Sequence, residues 1–168
     1  MSRMRRRHEA IEQLLHGAAP TCAEAIPPIG ALSARAVGSF MTPSAHSIGR
    51  DQSLATAHAM MEKYAIRHLP VLEGGKLAGI LSQRDLYFVE SVGGVDTRTV
   101  KVEEAMSPET YCVAPVTPVD EVANEMAERK YGCAVVMEGT RVAGVFTTTD
   151  ALHALARLLR EARAFATR

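Results

Sequence analysis

The chain has 168 residues, enough for one domain or two small repeats, and 47% of them are hydrophobic, which permits a sizeable core. Nineteen basic residues balance nineteen acidic ones, so composition argues against a dedicated nucleic-acid or membrane-surface binder. Trp is absent and the three cysteines (Cys22, Cys112 and Cys133) show no CxxC spacing, which excludes a disulfide framework and a zinc pattern and leaves an aliphatic core.

The N-terminal stretch MSRMRRRHEAIEQLL is basic but carries no apolar run behind its arginines, so it is not a secretory signal. No segment approaches the roughly 20 apolar residues that span a bilayer, and a cytoplasmic protein is expected. Residues 1–16 read as a short amphipathic helix with Ile11, Leu14 and Leu15 on one face. Its arginines Arg3, Arg5, Arg6 and Arg7 read as a solvated tail. Residues 17–36 are rich in Ala, Gly and Pro, and IPPIG is not helix interior, because proline lacks the amide hydrogen and clashes with the preceding turn. Residues 1–36 are therefore expected to form an N-terminal helical arm.

From Val37 the chain repeats itself. Shifted by 65 positions, residues 37–88 align with 102–153 without a gap, and ten of those 52 positions are identical: Val37, Met41, Pro43, Met61, Val71, Glu73, Gly74, Ala78, Gly79 and Asp85. Each copy opens on a lead-in, MTP or MSP, followed by a short strand near 46–49 or 111–114. A helix is expected over 53–64, where Leu54, Ala57, Met61 and Ala65 recur at three-and-four spacing, and over 118–130, where Val119, Val122 and Met126 do. Thr117 is the expected cap of the latter helix, Pro118 suits its first turn, and Asp120 and Glu121 suit its positive end. A hairpin follows, HLPVLE–GG–KLAGILS or CAVVME–GT–RVAGVFT, and a last helix is expected to start at Asp85 or Asp150. Cys112 and Cys133, in apolar runs, are expected to be buried free thiols. The fold class expected is α/β: two β-α-β-β-α repeats, 37–95 and 96–168, packed with pseudo-twofold symmetry, sheets inside and helices outside. A unit of about 50 residues buries too little surface to stand alone.

GILSQRDL (79–86) and GVFTTTDA (144–151) hold the chemistry of interest. Ser82 with Asp85, and Thr147 with Asp150, fit the [ST]-x-x-[DE] box in which hydroxyl and carboxylate cap a helix start. The same groups suit a ligand. A carboxylate accepts two neighbouring hydroxyls, a helix N-terminus offers amides to a phosphate, and Gly79 and Gly144 are expected to leave room for the ligand to approach. The two readings are compatible. Arg67, His68 and Arg84 would supply positive charge in the first copy, while their counterparts Gly132, Cys133 and Thr149 supply none. His46 and its counterpart Tyr111 could stack on a base or pack locally. The remaining histidines show no metal-ligand spacing, and no nucleophile–base pair, P-loop or GxGxxG stands in a convincing context, so neither a metal site nor catalysis is expected.

MTP, IRHLPVLEGGKLAGILSQRDL, and the echoes MSP and YGCAVVMEGTRVAGVFTTTDAL resemble a tandem pair of cystathionine-β-synthase (CBS) domains, over residues 37–153. The resemblance implies a regulatory module and no catalytic cofactor. Its cleft would bind AMP, ADP, ATP, S-adenosylmethionine or sometimes a dinucleotide. Asp85 and Asp150 would grip ribose, Ser82 and Thr147 ribose or phosphate, Arg67, His68 and Arg84 phosphate, and the segment with Ile48 or Val113 the adenine edge. It also implies a homodimer and a regulated partner protein. The alternative is a ligand-free dimerisation or docking module in which the aspartates only cap helices. The last helix carries a stripe of Leu152, Leu155, Leu159, Ala162 and Phe165 or Ala166, which suits contact with another chain or with the 1–16 helix.

Overall fold

The structure, a computed structural model, describes residues 35–166, all within the unit Leu32–Arg168. The arm expected at the N-terminus lies, but for Arg35 and Ala36, outside the described residues, and so do Cys22 and Arg168.

In chain order the first repeat contributes β1 (Thr42–Pro43), β2 (Ile48–Gly49), α1 (Leu54–Tyr64), β3 (His68–Glu73), β4 (Lys76–Ser82) and α2 (Gln83–Glu90). The second contributes β5 (Cys112–Val113), α3 (Val119–Arg129), β6 (Cys133–Glu138), β7 (Arg141–Thr147) and α4 (Thr148–Ala166). Short 3-10 turns, Val37–Ser39 and Val102–Glu104, precede each set. The β-α-β-β-α order is present twice, as expected. In each hairpin a glycine makes the turn in a left-handed conformation, Gly74 and Gly75 in the first and Gly139 in the second.

Local chemistry sets the helix ends. Ser53 Oγ accepts the Thr56 amide at 3.2 Å and starts α1. Thr117 does not cap α3. Pro118 occupies the cap position with no side-chain bond, and Asp120 and Glu121 supply the negative charge of the first turn. α1 and α3 both stop on a left-handed residue that is not glycine, Ala65 (φ 52°) and Lys130 (φ 59°). α2 and α4 begin two residues before the aspartates, because the hydroxyls of Ser82 and Thr147 are the caps and each aspartate is the third helical residue.

The lead-ins are exchanged between repeats. β2, β3 and β4 form one sheet; β1, from the first lead-in, joins β7, β6 and β5 of the second repeat. Thr42 pairs with Val145 and Pro43 with Gly144, while Ser107 of the second lead-in bridges Ile80 of β4. Val37 and Val102, identical across the repeat, follow the same rule. Val102 is buried among Leu54, Met61, Leu81 and Leu86 of the first repeat, and Val37 among Val122, Met126 and Phe146 of the second. Matching backbone bonds hold them: Val37 N to Thr117 O at 2.8 Å, and Val102 N to Gln52 O at 2.8 Å. A third cluster, Val135, Cys133 and Val145 with Leu77, Ile80 and Val142, joins the two sheets through their inner faces. The exchange corrects the expectation for Gly79 and Gly144. A Cβ on Gly79 would stand 2.5 Å from the Ser107 carbonyl oxygen, and one on Gly144 closer still to the Thr42 carbonyl. The missing side chains admit the other repeat's backbone, not a ligand.

Two further expectations change. Cys133 is buried, but Cys112 is exposed. On α4, Ala154 and Leu158 face the second core, whereas Leu152, Leu155 and Leu159 are exposed at 67%, 54% and 52%. No helix among the described residues is long and apolar enough to cross a membrane.

Candidate ligand-binding cleft

The sequence places a hydroxyl at the last residue of a strand and a carboxylate three residues on, and the fold turns each pair into a reciprocal cap. Asp85 Oδ2 accepts from Ser82 N at 3.1 Å and Ser82 Oγ at 2.5 Å, while Ser82 Oγ accepts from Asp85 N at 3.3 Å. Asp150 Oδ2 accepts from Thr147 N at 2.8 Å and Thr147 Oγ1 at 2.6 Å, and Thr147 Oγ1 accepts from Asp150 N at 3.3 Å. Capping consumes one oxygen of each carboxylate. The other differs between repeats. Asp150 Oδ1 accepts the Thr42 hydroxyl at 3.3 Å. Ser107, the counterpart of Thr42, donates instead to the Glu109 carbonyl at 3.2 Å, and Asp85 Oδ1 has no partner among the described residues.

Asp85 lines a cleft of about 920 Å3, a volume within the range of small-molecule sites. Both repeats build it. The first supplies Arg67, His68, Ile80, Ser82, Gln83, Arg84, Asp85 and Tyr87; the second supplies Ser107, Glu109 and Tyr111 from its lead-in, and Met126, Lys130, Tyr131, Gly132, Cys133 and Thr148. Thus Ser82, Asp85, Arg67, His68 and Arg84 line one cleft, a grouping the sequence left open. Thr147 and Asp150 do not line this cleft. Neither do Ile48, buried in the first core, and Val113, packed against the second. The lead-in side chain in the cleft is Tyr111, two positions before Val113, with its ring centroid 5.5 Å from that of Tyr131. Its counterpart His46 is stacked on Tyr64 at 3.7 Å.

The charges in the cleft are unequal in kind. Arg67, Arg84 and Lys130 line it together with Asp85 and Glu109. His68 is not among the cations at neutral pH: burial, aided by Arg67, pushes its imidazole below the ordinary range, and its ring packs against Gly132. Burial likewise pushes the Cys133 thiol up to about 12, so it is an apolar wall and no nucleophile. The helix N-terminus offers less than expected. The Gln83 amide donates to Arg67 O at 2.8 Å and the Asp85 amide to Ser82 Oγ, so two of the first three amides are engaged. Arg67 reaches across to the second repeat, with Nη2 donating to Thr149 Oγ1 at 3.0 Å.

Lys130, Tyr131 and Glu109 were not foreseen. Lys130 and Tyr131 lie in the helix-to-strand corner of the second repeat, where Arg67 and His68 lie in the first, and a scan of that corner one or two residues wider would have found them. Among the described residues no group of three or more His, Cys, Asp or Glu side chains is placed to hold a metal ion.

Comparison with known proteins finds the same duplicated unit. The family model for the CBS domain matches residues 37–90 and 102–157. An inosine-5'-monophosphate dehydrogenase of Staphylococcus haemolyticus is 34% identical over 104 residues, which is 60% of this chain and 20% of that enzyme. The chain thus matches about a fifth of the length of this relative. The Vibrio cholerae protein provisionally assigned as the acetoin utilization protein AcuB superposes with a TM-score of 0.67 at 31% identity, covering 74% of this chain and 93% of that one. CBSX2, solved in complex with AMP, superposes with a TM-score of 0.66 at 24% identity, covering 73% and 97%.

Proposed function

Because the chain belongs to the CBS-domain family, with two copies in tandem, we propose that it is a regulatory sensor that binds an adenosine-containing ligand between its repeats and passes the bound state to a partner protein. AMP, ADP, ATP and S-adenosylmethionine are the candidates, and the AMP complex of a protein with the same fold supports the class. The observation that carries the reading is the cleft itself: large enough for a nucleotide, walled by both repeats, with one carboxylate oxygen open beside three cations.

In this reading Asp85 Oδ1 accepts the neighbouring ribose hydroxyls while Oδ2 keeps the cap, so binding does not cost the helix start. Charge-assisted bonds of this kind contribute about 1.5–3 kcal/mol each. Arg84 and Lys130 neutralise phosphate, Arg67 joins them by leaving Thr149, and the base lies by Tyr111 and Tyr131. The ligand touches both repeats at once, so it favours one angle between them. The coupling to a partner is limited to the ligand's difference in affinity between the two angles. No chemistry is performed on the ligand. The module acts on another chain, and a second copy docks on the exposed leucines of α4.

A competing reading, in which the module only docks partners and the aspartates only cap, draws on the two complete capping boxes. Thermal unfolding with AMP, ATP, S-adenosylmethionine and, as control, GMP separates the two. A ligand at 100 times its dissociation constant adds about 2.7 kcal/mol, which is about 5–10 °C for a chain of this size. Asp85→Asn removes the shift if the cleft is the site. A melting point indifferent to every adenosine compound favours the docking module.

A further inference from the structure

The two motif corners are equivalent in sequence but not in what surrounds them. At the second corner both oxygens of Asp150 are engaged, Oδ2 by the cap and Oδ1 by Thr42. Thr149 is engaged by Arg67. The lead-in above it forms a two-residue strand pairing, and His46 is stacked on Tyr64. At the first corner the lead-in makes a single bridge, Tyr111 is stacked on Tyr131 in its turn, Ser107 turns to its own segment, and Asp85 Oδ1 has no partner among the described residues.

The charges divide the same way. Arg67, Arg84 and Lys130 line the first cleft. Shifted by 65 positions, their counterparts are Gly132, Thr149 and Ala65, none of them charged. Only Arg67 reaches the second corner, through its bond to Thr149, so a phosphate there would meet one of the three cations and would have to displace the Thr42 hydroxyl as well. A tethered group competes at high effective concentration.

We infer that each chain takes one nucleotide, at the Asp85 corner, and that the Asp150 corner is closed by the chain's own Thr42 and serves as a fixed clasp between the lead-in and α4. The inference rests on the sensor reading and narrows it: one phosphate-bearing ligand per chain, with the three cations of one cleft deciding where it goes.

Titration calorimetry of the full chain with AMP, and separately with ATP, tests it. One site per chain is expected. Asp85→Asn and Lys130→Ala should each weaken it at least tenfold, and Asp150→Asn should leave affinity within about twofold. Circular dichroism melts of the ligand-free variants show whether each is folded, and Lys130→Ala, at an exposed position, covers the case in which Asp85→Asn is not. Two equal sites in the parent chain, or one site lost with Asp150→Asn and kept with Asp85→Asn, overturns the inference while leaving the sensor reading in place. Binding of neither nucleotide overturns the inference; the sensor reading falls with it only if S-adenosylmethionine and ADP also fail to bind.

Discussion

The carbonyl oxygen of Ser107 occupies the space that a side chain on Gly79 would fill, 2.5 Å from its ideal Cβ position. Thr42 stands in the same relation to Gly144. Backbone cannot yield as a side-chain tip can, so Gly79→Ala and Gly144→Ala should push a lead-in off the opposite repeat. Overpacking of this kind costs about 1–3 kcal/mol. Urea unfolding should show both variants destabilised. A parent-like midpoint for either would mean that the exchanged lead-in is not held where the structure has it.

Two histidines should give opposite pH signatures. His58 Nδ1 donates to Glu90 Oε1 at 2.6 Å, a bond that holds its imidazole above the ordinary value of 6.5 against the smaller opposing effect of burial. Its stabilisation is fully present below 6.5 and fades as pH rises through its folded value. His68 is pushed below 6.5 by burial first and Arg67 second. It costs nothing above 6.5, and stability falls as pH drops through 6.5 towards its folded value. Melting points measured from about pH 8 to about pH 5 should fall more steeply towards acid in His58→Gln than in the parent, and less steeply in His68→Gln. Identical profiles for the two variants would contradict both assignments.

Ala65 and Lys130 hold the left-handed conformation without being glycine. That conformation costs an L-residue about 1–2 kcal/mol. Ala65→Gly and Lys130→Gly should both raise the midpoint of chemical unfolding. They should part company on nucleotide affinity, because only Lys130 lines the cleft. A Lys130→Gly chain that gains stability and keeps full affinity would remove Lys130 from the ligand's surroundings.

On α4, Leu152, Leu155 and Leu159 are exposed, and Phe88 of α2 is 72% exposed. Apolar groups this open contribute little to the fold of one chain, so Leu155→Glu with Leu159→Glu should leave the melting point of a dilute sample within a few degrees. Light scattering should show a smaller assembly than the parent chain forms. An unchanged mass would mean that a second copy, if it docks, docks elsewhere.

Much of this molecule was legible from residues alone. The 65-residue period, the hairpins and the helices over Leu54–Tyr64 and Val119–Arg129 follow from apolar spacing and turn glycines, which are local signals. The pairing of Ser82 with Asp85 and of Thr147 with Asp150 was equally local, since a cap spans three residues. The helices begin two residues before the aspartates expected to start them, because the hydroxyl ahead of each aspartate does the capping. Cys112 was expected inside on the apolar character of its neighbours, yet its strand has only two residues at a sheet edge.

What the chain determined by itself, then, is a duplicated β-α-β-β-α unit with a hydroxyl and a carboxylate at each strand-to-helix corner. Which lead-in covers which sheet, why residues 79 and 144 must be glycine, and that Arg67, Arg84 and Lys130 meet in one cleft while Thr42 bonds to Asp150 were decided by the tertiary structure. Caps and amphipathic faces depend on neighbours three or four residues away, which a single sequence displays. The exchange of lead-ins and the sharing of charges depend on contacts across the two repeats, and a repeat that looks the same in both halves does not say which half its partner comes from.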